Sequence, residues 1–147
     1  MQKNLILQQF KDLSKAVYLL KASCRKFKPY KVRKIYTPSE LEYYDSLAFR
    51  FEKSVELFQH FFKGIESFLY GKVSDTLRDR LLSIQKLNII DNIDFWIEAR
   101  LLRNKVAHDY LPEQLRDIYN EIHNKSKYLF KYLGRLEKYM KTVQSDK

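Results

Sequence analysis

Apolar residues recur along this chain at alternating spacings of three and four, the repeat of helices that each bury one face. Ile6, Phe10, Leu13, Val17, Leu20, Cys24 and Phe27 form the first such stripe, and Pro29 requires that helix to stop before it. Cys24 falls within the stripe and reads as a small hydrophobe. Thr37-Pro38-Ser39-Glu40 then signals a new start: Thr37 caps, Pro38 suits the first helical position, and Glu40 closes a capping box. Leu47, Phe51, Val55, Phe58, Phe62, Ile65 and Leu69 carry the second stripe as far as Gly71. That helix, of roughly 30 residues against a usual 11–12, is long enough to span the whole bundle. Gly64 interrupts it at modest cost.

The second half repeats the pattern in shorter units. Ser74 or Asp75 is expected to open a short helix through Leu77, Leu81, Ile84 and Leu87, ending near Asn88. Asp91 is expected to cap a helix bearing Ile93, Trp96, Ile97 and Leu101. Leu111-Pro112 restarts the chain into a last long helix with Leu115, Ile118, Ile122, Leu129, Leu133, Leu136 and Met140. With no internal repeat and no low-complexity linker, the pattern predicts an all-α fold. Residues 1–147 read as a single domain, an up-and-down helical bundle of four main helices plus a short fifth.

Composition agrees with that picture. Three Gly and three Pro in 147 residues are too few for the turn-rich connections of a β fold, and 11 Tyr with 10 Phe supply a core. One cysteine excludes a disulfide framework and a multi-cysteine zinc site within one chain. No run approaches the length of an apolar membrane span and no signal-peptide core is visible, so the expected setting is a reducing cytoplasm. A net charge of +10 points to a polyanionic partner, although charge alone does not separate RNA, DNA and anionic membrane.

Candidate chemistry concentrates in Arg103-Asn104-Lys105-Val106-Ala107-His108-Asp109-Tyr110, an R-x-x-x-x-H-x-Y arrangement. A five-residue step turns an α-helix by about 500°, leaving Arg103 and His108 about 140° apart and about 7.5 Å along the axis. They converge on one phosphate only if the helix ends near His108, where Leu111-Pro112 favours an end, or if a two-fold dimer brings the patch together twice. Asn104 and His108 share a face, whereas Arg103 shares another with Trp96 and Ala99. An always-charged Arg fork can hold two phosphate oxygens, and an imidazole can take a proton from a ribose 2′-hydroxyl or give one to a leaving oxygen. RNA brings its own nucleophile, so the chemistry requires neither metal nor cofactor.

The segment Trp96–Tyr110 resembles the signature of the HEPN superfamily. More narrowly it resembles the HepT-type ribonuclease toxins of HEPN/MNT toxin–antitoxin pairs, with the Arg-Asn start, the His and the Tyr two residues later all matching. The likeness extends to Leu47-Ala-Phe-Arg-Phe-Glu52 and to the helical order. It implies a homodimeric, metal-independent endoribonuclease with Arg103 and His108 of both protomers in one cleft and Asn104 orienting the scissile group. It also implies an MNT-type nucleotidyltransferase antitoxin that attaches AMP to Tyr110. Added phosphate would bring negative charge and bulk beside a cationic cleft.

A second candidate is the stretch from Arg25 to Tyr36, with six basic residues (Arg25, Lys26, Lys28, Lys31, Arg33 and Lys34) and no acidic one. It suits an RNA backbone, with Phe27, Tyr30 and Tyr36 available to stack bases, or it is a solvated connection. Arg50 points to the cleft or forms a surface ion pair, and Glu98 orients a basic group across the dimer or faces solvent. His60 and His123 lack metal-ligand partners and read as structural. The basic residues of the last helix read as a charged outer face. The rival functions are a non-catalytic nucleotide- or substrate-binding subunit of a nucleotidyltransferase complex, and a purely structural helical protein.

Overall fold

The computed structural model describes residues 2–105 and 110–145. Those residues contain five helices and no strand: α1 (Gln2–Arg25), α2 (Pro38–Tyr70), α3 (Leu77–Gln85), α4 (Ile93–Lys105) and α5 (Pro112–Ser145). Side-chain pairings give the topology. Gln2 reaches Ser67 while Tyr43 reaches the Ser23 carbonyl, so α1 and α2 run antiparallel. Phe27 meets His123 and Lys21 meets Phe130, which sets α5 antiparallel to α1. Asp91 meets Tyr132 and Glu98 meets Lys125, so α4 runs against α5. The four longer helices therefore alternate up and down, and α3 is the short fifth. No described helix is long and apolar enough to cross a membrane.

The start of α2 is built as its sequence dictates. Glu40 N–H donates to Thr37 Oγ1 at 3.2 Å and Thr37 N–H to Glu40 Oε1 at 3.1 Å, a complete capping box with Pro38 behind it. Gly71 ends the helix at φ 69°, a left-handed conformation that glycine adopts without a Cβ penalty. Leu47, Phe51, Val55, Phe58, Phe62 and Ile65 are all fully buried, whereas Leu69 is exposed. Trp96 fills the centre of the bundle with ring centroids 5.0 Å from Phe58, Phe62 and Tyr132.

Three local expectations are corrected. The cap of α3 is Thr76, whose Oγ1 accepts from Asp79 N–H at 3.1 Å. Ser74 is unavailable because its N–H and hydroxyl both donate to the buried Glu66 carboxylate. The cap of α4 is Asn92, whose Oδ1 accepts from Phe95 N–H at 3.2 Å. Asp91 instead binds the Tyr132 hydroxyl and Arg135. Finally, α4 buries Phe95, Trp96, Ala99 and Leu102 and leaves Leu101 exposed. Its apolar residues lie on more than one side, so periodicity alone does not choose the face; the seat of Trp96 does.

Candidate nucleic-acid interface

Arg103 stands in the last described turn of α4. Ala99 and Trp96, one and two turns before it on the same face, are fully buried, so its stem leaves the core and its side chain is half-buried. A cation at a helix C-terminus is also favoured by the backbone dipole. The guanidinium lines a groove of about 150 Å³ between α2, α3 and α4, which it shares with Glu56, Gln59, His60, Lys63, Arg80 and Arg100. With Arg103 itself, four of the lining side chains are cations and one is a carboxylate. Among the described residues no ion pair engages Lys63, Arg100 or Arg103.

Arg80 is held differently. Its Nη2 donates to the Ser74 carbonyl at 3.0 Å, and its Nε stands 3.8 Å from Glu66 Oε1. Burial alone would raise the Glu66 pKa, but hydrogen bonds from Ser74 and Ser83 and the Arg80 charge outweigh it and hold the carboxyl below its ordinary value. Glu66 is thus ionised and fixes the α2–α3 connection and Arg80 together.

Asn104 is exposed, and its Oδ1 accepts from Arg103 Nη2 at 3.4 Å, a long contact that bears on the guanidinium rather than on any other described group. His108 lies outside the described residues. Tyr110, where the described chain resumes, is not helical. Tyr110 is half-buried and lines a different pocket, of about 170 Å³, with Asp45, Phe49, Glu52 and Tyr119. That pocket carries two carboxylates, and it sits on α2 one stretch before the groove. The two differ by about 11 residues along that helix, or about 16 Å, so Arg103 and Tyr110 are not brought into one site within the chain.

The basic connection has its charges outward and its rings inward. Arg25, Lys26, Lys28, Lys31, Arg33 and Lys34 are all exposed. Phe27, however, stacks on His123 with centroids 4.0 Å apart and planes within 6°. Tyr30 is buried and stacks on Tyr36 at 4.7 Å. The three rings expected to stack bases are therefore engaged in packing. Tyr44 donates to the Lys28 carbonyl at 2.7 Å and Tyr43 to the Ser23 carbonyl at 2.8 Å, which ties the connection to α2. Burial pushes the Tyr43 hydroxyl up to about 12, so it remains a donor. Between the connection and α2 lies a cavity of about 700 Å³ lined by Lys26, Lys28, Lys31, Lys34, Tyr36 and Tyr43, among others. Lys34 pairs with Glu40, and that pairing with the Thr37 hydrogen bonds holds the Glu40 carboxyl down at about 2. Its α2 walls, Ser39–Tyr44, precede those of the Arg103 groove by about 18 residues, or about 27 Å.

Sequence reasoning did not anticipate Lys63, Arg80 or Arg100 as neighbours of Arg103. The signal was present for one of them, since Arg100 and Arg103 are three apart on one helix. His60, read as structural, is exposed on the groove wall. His123 is structural as read: burial, chiefly, and the charge of Lys127 lower its pKa. Arg50 does not line the groove and forms no ion pair among the described residues; its Nη1 donates to the Leu19 carbonyl at 3.1 Å and to Ser23 Oγ at 2.8 Å, bracing α1 against α2. Glu98 pairs with Lys125 at 3.0 Å. Among the described residues no cluster of three or more His, Cys, Asp or Glu side chains could hold a metal ion. Set against known protein families, curated proteins and solved structures, the chain finds no match in any of the three comparisons.

Proposed function

We propose that this chain is a metal-independent endoribonuclease of the HEPN class, acting as the toxin of a toxin–antitoxin pair. The observation that carries this reading is the setting of Arg103. It is half-buried on an apolar stem, opens into a groove richer in cations than carboxylates, and has its charge unpaired among the described residues. The R-x-x-x-x-H-x-Y spacing that begins at Arg103 supplies the remaining support, together with an all-helical fold.

In this reading the Arg103 fork holds two oxygens of the scissile phosphate and stabilises the charge that builds there. His108 removes the proton from the ribose 2′-hydroxyl, the 2′-oxygen attacks phosphorus, and the bond to the 5′-oxygen breaks. A second imidazole protonates that leaving oxygen. A homodimer provides it, since two-fold symmetry places two copies of the motif across one cleft. Asn104, in contact with Arg103, holds the guanidinium in register. The exposed lysines and arginines from Arg25 to Lys34 attract RNA by charge from the far end of the bundle rather than by stacking.

Regulation falls to Tyr110. A nucleotidyltransferase antitoxin attaches AMP to its hydroxyl, adding a negative charge next to Asp45 and Glu52 and obstructing the same face of α2 that bears the groove. Such a pair operates in the cytoplasm. The test is RNA cleavage by the purified protein in excess EDTA: wild type cuts, Arg103→Ala and His108→Ala do not. Intact RNA with wild type, or equal cleavage by either variant, overturns the reading.

A further inference from the structure

Beyond the two residues of the motif, the groove around Arg103 has the composition of an anion site. Lys63 from α2 and Arg100 from α4 are exposed at its edges, Arg80 from α3 is largely buried in its wall, and Arg103 forms its α4 end. Their only carboxylate neighbour in the lining is Glu56. Glu66 offsets the charge of Arg80 from behind the wall, but Lys63, Arg100 and Arg103 have no ion pair among the described residues; like charges so placed repel one another, and a bound anion relieves that repulsion. The wall also carries buried hydrogen-bonding capacity: both amide atoms of Gln59 have no hydrogen-bond partner among the described residues, and Arg80 Nε has only its ion-pair contact with Glu66. Buried polar atoms are nearly always satisfied, so such a cluster marks a place where a polar ligand or water is accommodated. At about 150 Å³ the groove is smaller than the roughly 300–1,000 Å³ of sites that hold whole small molecules. That size suits a phosphate group.

We propose that the groove between α2, α3 and α4 is a phosphate subsite in which Lys63, Arg80 and Arg100 of one chain hold a backbone phosphate of a single-stranded nucleic acid next to the phosphate held by Arg103. The inference deepens the ribonuclease reading, on which it rests for the identity of the strand. It adds that each protomer positions its substrate alone, through residues outside the motif. His60 stands on the same wall, within the groove's lining.

The experiment measures fluorescence anisotropy of a labelled single-stranded deoxyoligonucleotide, which lacks the 2′-hydroxyl and survives the reaction proposed above. Full-length wild type, the double variant Lys63→Gln/Arg100→Gln and the control Lys138→Gln/Lys141→Gln are titrated across a range of salt. Both double variants remove two exposed charges, so equal loss would reflect net charge alone. The subsite predicts roughly tenfold weaker binding for Lys63→Gln/Arg100→Gln, with the slope of log K against log salt reduced by about 0.7–1.4, and less than about twofold change for the control. Equal effects of the two variants, or no binding by wild type, overturn the subsite. RNA cleavage is followed in parallel and separates the two readings. Strand binding that depends on Lys63 and Arg100 without cleavage keeps the subsite and removes the catalytic claim. Cleavage by wild type with unchanged strand affinity in the variant does the reverse.

Discussion

Glu66 is the buried charge on which the wall of the groove depends, and its removal gives a calculable loss. Its carboxylate is 1% exposed and accepts from both the N–H and the hydroxyl of Ser74, with Arg80 Nε at 3.8 Å. Hydrogen bonds to a charged acceptor are worth about 1.5–3 kcal/mol each, and truncation leaves buried donors unmet. Two such bonds put Glu66→Ala at about 3 kcal/mol of lost stability once water re-solvates part of the Ser74 turn. Over 147 residues, at about 2.1 cal/mol/K per residue, that is a fall in Tm of about 10 °C. Glu66→Gln keeps one acceptor oxygen and should lose about half as much. The sign with pH follows from the depressed pKa. The stabilisation is fully present above the unfolded value of 4.5 and is lost as pH falls through the lower folded value. Thermal melts by far-UV circular dichroism at neutral pH and at a series of acid values read both effects. A Glu66→Ala melt within about 2 °C of wild type, or a wild-type advantage over Glu66→Gln that does not narrow with acid, refutes the reasoning.

Arg50→Ala removes both hydrogen bonds to α1 and should cost about 1–2 kcal/mol in urea unfolding, while leaving RNA cleavage unchanged because Arg50 braces α1 and does not line the groove. His123, lowered in pKa by its burial against Phe27, should titrate by NMR below 6.5. The unfolded chain then binds the proton more readily, so wild-type stability declines as pH drops below 6.5 and His123→Gln flattens that slope. Co-expression with a nucleotidyltransferase from an adjoining reading frame should add AMP to the intact mass of wild type and not to Tyr110→Phe.

Helices were legible in the sequence because burial of one face imposes a period that residues such as Leu47, Phe51 and Val55 obey throughout α2. Caps were legible where one side chain had no competitor, as at Thr37. They were misplaced where a distant residue captured the expected group: Glu66 takes Ser74, and Tyr132 with Arg135 takes Asp91. No spacing rule reveals such captures, since the partners lie 8 and 41 residues apart. The same limit governs the site. Arg103 and its apolar stem could be read from the spacing of Trp96, Ala99 and Arg103. Lys63 and Arg80 reach the groove from other helices, Arg80 held there by Glu66 and the Ser74 carbonyl, and no spacing along α4 reveals them. The rings of the basic connection were misread for a related reason, because Phe27, Tyr30 and Tyr36 satisfy the core before they are available to a base.

The central claim is that the Arg103–His108 pair cleaves RNA through a titratable imidazole. Its most direct test compares single-turnover cleavage of RNA by wild type and His108→Gln in excess EDTA. Gln preserves hydrogen bonding and size but cannot exchange a proton near neutrality. A general acid–base role predicts a rate loss of roughly 10²–10⁴-fold with little change in strand affinity. Cleavage by His108→Gln at the wild-type rate would contradict it.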